Sequence, residues 1–287
     1  METGPPYMMP ESKINQRTKA THLSIHVHVN GLSFFTHNEQ GLASAIVRRK
    51  FADALSPEKL HDQLHQVLKQ EKLLTQKFSQ VRCSVENNLA TLVPQALFEL
   101  SALEEYLHKD IDLKPGDFIA HDLLPNTDWV NVYVPFVNVN NMLLDNFGSF
   151  NYYHAVSVWL DALTKHSQAD GKQVWGVYKE GKNLHIALFQ NDKLHYYTCF
   201  EASNPKDITY YILFTAKELG INPAEVPLFV VGDFIEGDNA FKELYTFVRS
   251  INFFKPESEV NLSVPQLNQH QDFCLLNLHS CGLFQEA

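Results

Sequence analysis

The chain has 287 residues, 45% of them hydrophobic, and 33 acidic against 23 basic residues give a net charge of −10. That length suffices for two domains with separate cores, while the acidic balance, with no basic cluster larger than Arg48-Arg49-Lys50, excludes nucleic-acid binding through counterion release. No apolar run reaches the roughly 18 residues of a membrane span, and the four cysteines (Cys83, Cys199, Cys274, Cys281) are too few for a disulfide scaffold and suit a reducing compartment.

Residues 1–20 carry Pro5, Pro6 and Pro10 among scattered charges, without the apolar core of a signal peptide. They are expected to form a disordered tail on a soluble cytoplasmic protein. Apolar residues then alternate through Leu23-Ser24-Ile25-His26-Val27-His28-Val29, followed by Asn30-Gly31 and Leu32-Ser33-Phe34-Phe35. This predicts a hairpin whose Asn-Gly turn takes positive φ. Ser56-Pro57-Glu58 caps a helix with Leu60, Leu64, Val67 and Leu68 on one stripe.

Strands are expected at Phe78–Val85, Leu89–Val93, Phe118–Leu124 and Trp129–Val134, with a capping box at Ser101-Ala102-Leu103-Glu104 opening a short helix. Asn140–Phe147 reads as helix. Asn151–Val156 reads as a strand feeding a helix with Trp159, Leu160 and Leu163 on one face, and Asp170-Gly171 marks a boundary.

The plan then recurs. Val174–Tyr178, a turn at Glu180-Gly181-Lys182-Asn183, Leu184–Phe189, a turn at Asn191-Asp192 and Leu194–Phe200 form three strands. Asn204-Pro205 caps a helix that ends before Gly220. Turn glycine and helix cap lie 25 residues apart in the first copy (Gly31, Ser56) and 23 in the second (Gly181, Asn204). Such agreement indicates a duplication. Leu228–Val231 is the next strand, Asn239–Val248 a helix, and Phe273–Leu278 one last strand.

A hairpin, a third strand, a helix and a strand follow the order of the ribonuclease H-like fold. Two in tandem give an α/β protein of actin-like ATPase architecture, with mixed sheets flanked by helices in domains at 21–170 and 171–287. The stretches Leu92-Val93-Pro94-Gln95-Ala96-Leu97-Phe98, Leu23-Ser24-Ile25 with Gly31-Leu32-Ser33-Phe34, and Tyr152-Tyr153-His154-Ala155-Val156-Ser157 resemble an uncharacterised bacterial family with that fold and no assigned activity. Less closely, the second half resembles actin-like proteins of type IV pilus assembly and the cytoplasmic domain of a type II secretion component.

The resemblance implies a nucleotide between the halves, with hairpin-turn N–H groups on its phosphates and a first-strand Asp positioning Mg²⁺. His28 or Asn30 stands at that position in the first half, and Tyr178, with Glu180 nearby, in the second. Phosphoryl transfer without paired carboxylates lacks its metal anchor, so no catalytic residue is assigned. Gly232-Asp233 ends a central strand where the superfamily places glycines near adenosine, so the ligand-binding candidates are Asn30, Gly31, Gly181, Gly232, Asp233 and Gly237.

No metal set is assigned. His22, His26 and His28 share a strand face without a third ligand, and Cys274 and His279, on an uninterrupted strand, would stand roughly 17 Å apart. Ser157 and Ser203 lack a nucleophile elbow, and Cys83 reads as core. The doublets Phe34-Phe35, Tyr152-Tyr153 and Tyr196-Tyr197 require cover on both sheet faces, whereas alternation in residues 23–29 implies a wetter face. A polar interdomain cleft over that face reconciles the two.

The expected function is therefore that of a degenerate actin-like protein that binds a protein partner without ATPase activity and with no cofactor. A homo-oligomer is compatible with it. The alternative is an ATP-binding member, with ATP and Mg²⁺ held at a non-standard metal site.

Overall fold

The structure, a computed structural model, describes residues 21–39, 43–109, 111–114, 116–170, 173–255 and 268–283. The expected tail at 1–20 lies outside the described residues, as does Gly171. In lobe I, β1 (His22–His28), β2 (Gly31–His37) and β3 (Ala43–Lys50) form an antiparallel meander, and α1 (Pro57–Gln70) crosses to β4 (Gln80–Glu86), which pairs parallel to β1. An insertion follows, made of β5 (Ala90–Pro94), α2 (Leu103–Leu107), β6 (Ala120–Leu123) and β7 (Trp129–Tyr133). Lobe I then resumes with α3 (Val137–Phe147), β8 (Asn151–His154) and α4 (Ala155–Asp170).

Lobe II repeats the plan without the insertion: β9 (Val174–Glu180), β10 (Asn183–Gln190), β11 (Lys193–Glu201), α5 (Pro205–Glu218), β12 (Leu228–Gly232), α6 (Asn239–Tyr245), β13 (Ile251–Phe253) and α7 (Phe273–Asn277). The strand orders β3-β2-β1-β4-β8 and β11-β10-β9-β12-β13 coincide position by position, and the insertion is a separate sheet, β5-β7-β6. Among the described residues, no helix is long and apolar enough to cross a membrane.

Local chemistry explains the equivalent crossovers. Ser56 Oγ accepts the Lys59 N–H, and Asn204 Oδ1 accepts those of Lys206 and Asp207. Each cap precedes a proline whose missing N–H costs nothing at that position. The aromatic doublets divide between cores: Phe34 lies with Leu60 and Leu64, and Phe35 with Ile46, Leu275 and Leu276. Each sheet is thus covered on both faces.

Several expectations change. Phe273–Asn277 is helix rather than strand; every residue from Phe273 to Leu278, Asn277 included, is buried, so the sequence shows no period to separate the two. This removes the strand-spacing argument about Cys274 and His279: Cys274 Sγ contacts the Ala155 carbonyl, and the His279 ring meets His37 edge-on. Neither Asn30 nor Gly31 has positive φ, because the turn is Val29-Asn30 and Gly31 already belongs to β2. Glycine is required there by space, since a Cβ would lie 2.9 Å from the Arg49 carbonyl oxygen. No Ser101 cap forms; α2 starts at Leu103 after a 3-10 turn. β1 has no wet face, for Ser24 and His26 are both buried.

The last helix of each lobe packs on the other lobe. α4 lies against β9 and β10, where Trp159 and Leu163 fill the space left by Gly176, and α7 lies against β1 and β2. Arg48 on β3 clamps Asp272, just before α7, through Nε at 2.8 Å and a second guanidinium nitrogen. This exchange joins the lobes through apolar packing and brings the ends of β1, β4, β9 and β12 together.

Candidate functional site

The convergence of those strand ends places polar groups of both lobes in contact. His26 points from β1 across the cleft to Glu180 at the end of β9, with Nε2 at 2.9 Å from the carboxylate and Nδ1 hydrogen-bonded with Ser84 Oγ at 2.7 Å. His28 Nε2 lies 3.4 Å from the same carboxylate, and Tyr178 Oη donates to it. A second cross-lobe group centres on Glu86, which ends β4. Its carboxylate accepts Asn183 Nδ2 at 2.8 Å and His185 Nε2 at 3.2 Å.

Electrostatics follow from burial and pairing. Burial disfavours a charged imidazole at His26, but the adjoining Glu180 carboxylate outweighs it, so the His26 pKa is raised. Burial likewise opposes ionisation of Glu180, yet His26, His28 and the Tyr178 hydroxyl hold its carboxyl well below the usual range. His185 is raised to about 10: desolvation opposes its charge, and the neighbouring Cys199 sulfur and the Glu86 carboxylate override it. Both pairs are therefore imidazolium–carboxylate bridges between lobes.

Five of the six expected ligand residues gather here. Asn30 Oδ1 lies so close to Gly181 that a Cβ there would stand 2.7 Å from it, and Gly31 sits beside His28. The Gly181 N–H donates to Asp233 Oδ2 at 2.9 Å. Gly232 has φ +85°, and a Cβ on it would run into the Lys179 carbonyl. Gly237 lies in the loop before α6; of the six, Asn30 and Asp233 line the cleft itself.

Beside this floor opens a cleft of about 790 Å³, lined by His28, Asn30, Arg48, Arg49, Gln271 and Asp233 among others. Arg48 is committed to Asp272 and Arg49 to Glu71. Sequence reasoning overlooked Glu86 and His185. The duplication carried a signal for Glu86, because Glu86 pairs with His28 in β1 and Asp233 follows Gly232, the residue paired with Lys179, so the two acids occupy equivalent positions.

These residues do not fit a Mg²⁺-nucleotide. Hard cations need free oxygen ligands, and both central carboxylates already face imidazole, hydroxyl or amide donors. The Gly181 N–H that would hold a phosphate is bonded to Asp233, whose negative charge repels one. Among the described residues, no group of three His, Cys, Asp or Glu side chains is arranged to hold a metal ion.

The chain belongs to the protein family of unknown function DUF3822, whose sequence pattern matches residues 11–251. Comparison with curated proteins found no match. Among solved structures, the chain is similar to a Bacteroides thetaiotaomicron protein with an actin-like ATPase fold and unknown function. The two share 17% identity, with a TM-score of 0.78 over 93% of this chain and 99% of that one. It is also similar to PilM in the PilM–PilN type IV pilus biogenesis complex, at 12% identity and TM-score 0.59 over 91% of this chain and 98% of that one. The fold is the actin-like ATPase fold, with two sheet-containing lobes.

Proposed function

We propose that this is a non-hydrolysing actin-like protein, built from units at 21–170 and 171–287, that acts by binding a protein partner. One observation carries the reading: at the meeting point of the two hairpins, His26, His28 and Tyr178 saturate Glu180, and His185 and Asn183 engage Glu86. The groups that would bind and release a nucleotide are spent holding the lobes together. Partner binding is supported by the likeness in shape to PilM, which is seen in complex with PilN.

Calorimetric titration with ATP and Mg²⁺, paired with a phosphate-release assay, tests this. The expected result is no saturable binding tighter than roughly 100 μM and no phosphate release. ATP binding that is lost in Gly232→Val or Asp233→Tyr would overturn the proposal.

A further inference from the structure

Away from the cleft, a groove of about 660 Å³ separates the insertion from lobe II, lined by Ala90, Leu92 and Trp129 on one side and Leu194 to Glu201 on the other. Its walls are the open edges of two sheets: among the described residues, β5 pairs only with β7, and β11 only with β10.

Ladder geometry fixes which backbone groups face inward. In antiparallel pairs, residues that exchange both hydrogen bonds alternate with residues whose backbone turns away. The Ala202 N–H donates to the Lys182 carbonyl, so Phe200, Thr198 and Tyr196 bond to β10, while Tyr197, Cys199 and Glu201 direct N–H and C=O outward. On β5, bonds from Val134 to Leu89 and from Gln95 to Asp128 bracket the ladder; Thr91 and Val93 therefore bond to β7, and Ala90 and Leu92 face away.

We infer that this groove binds an extended peptide segment of another protein by strand addition to both walls at once. The inference rests on the partner-binding reading above and names where the partner sits. A strand already inside a sheet has a neighbour on at least one edge, so an edge strand of a second copy pairs with one wall at most. Only a free segment satisfies both, alternating its bonds between β5 and β11.

The lining sets the segment's chemistry. Lys193 pairs with Asp128 at one end and Lys182 with Glu201 at the other, and Glu201 is the sole Asp, Glu, Lys or Arg among the lining residues. Between those ends stand Leu92, Trp129, Tyr196, Tyr197 and Phe200. The segment is uncharged in its middle, with apolar side chains at alternate positions. At ~3.4 Å per residue the wall from Leu194 to Glu201 runs ~24 Å, room for about seven residues.

Amide hydrogen exchange on the full chain, before and after adding peptides selected from a displayed library of random heptapeptides, tests the inference. In the free protein, the amides of Ala90, Leu92, Tyr197 and Cys199 exchange at least tenfold faster than those of Thr91, Val93, Thr198 and Phe200. A selected peptide slows the first set by tenfold or more. Leu92→Pro removes an inward donor without touching the β5–β7 ladder and weakens the peptide at least tenfold; Cys199→Pro does the same on the other wall should the first variant fold poorly. Four outcomes overturn the inference: inward amides already protected in the free protein, no enriched heptapeptide, peptides that bind both proline variants unchanged, or protection that appears only with dimerisation. Nucleotide binding at the cleft would end the non-hydrolysing reading and leave this exchange pattern untouched.

Discussion

Replacing Glu180 by Gln keeps the shape of the cleft floor and removes its charge. The His26 and Glu180 side chains are only 9% and 12% exposed and meet at 2.9 Å. At an effective dielectric of about 20, that separation gives a gross attraction of ~6 kcal/mol, and desolvation cancels part of it. Breaking such a pair from one side costs ~3–5 kcal/mol, because an imidazolium is left without its counter-charge.

The cost depends on pH. His26 has a raised folded pKa, so its contribution is complete below its unfolded value of 6.5 and fades as pH rises through the folded value. Glu180 has a depressed folded pKa, so its contribution is complete above 4.5 and is lost as pH falls through the folded value. The pair is strongest between pH 4.5 and 6.5. His185 titrates alike in both proteins and cancels from the difference. Urea unfolding, followed through the buried Trp159 and Trp175, should show Glu180→Gln costing ~3–5 kcal/mol near pH 6. Above the raised folded pKa of His26, where its ring is neutral, only ~1 kcal/mol of hydrogen bonding should remain. A cost under ~1 kcal/mol at the lower pH, or an equal cost at both, refutes an ion-paired cleft floor.

Arg48→Ala leaves the Asp272 carboxylate, 8% exposed, with the Asn268 N–H but without its counter-charge, and should destabilise by ~2–4 kcal/mol while releasing α7. Hydrogen exchange at residues 273–277 should quicken more than at α1, and equal protection would count against the clamp. Gly232→Ala forces a side chain into positive φ and against the Lys179 carbonyl, so thermal melting should show a loss of at least ~2 kcal/mol. A change under ~0.5 kcal/mol would place Gly232 in a looser turn than the one described.

Legibility in the sequence tracked how local each cause is. Helix caps at Ser56 and Asn204 and the hairpins are written within a few residues, and the matched spacing of those local signals made the duplicated topology readable. β3 and β13 escaped: Arg48-Arg49-Lys50 masks the apolar pair Ile46-Val47, and Ile251–Phe253 is only three residues long. α7 escaped because an element buried on every side has no period. The His26-x-His28 pattern was visible, but its counter-charge stands 154 residues away from His26. Nothing local announces Glu180 as partner rather than solvent-facing turn residue; tertiary placement alone gives it that role.

Cleft and groove are joined by a chain of hydrogen bonds and one ring stack. Tyr197, in the groove wall, meets His185 Nδ1 at 3.0 Å; His185 meets Glu86 and stacks at 5.4 Å on Tyr178, whose hydroxyl reaches Glu180 and so His26. Opening the lobes would break both buried pairs. Opening rehydrates both partners of each pair, so the pairs oppose it by their net worth, the Coulomb gain less desolvation. With the lobes fixed, β5 and β11 keep their spacing before any segment arrives. A groove set in advance spares an incoming strand the entropy of ordering its walls. On the proposed reading, the cross-lobe pairs that fill the cleft floor also hold the groove walls in place, so one set of contacts serves both sites.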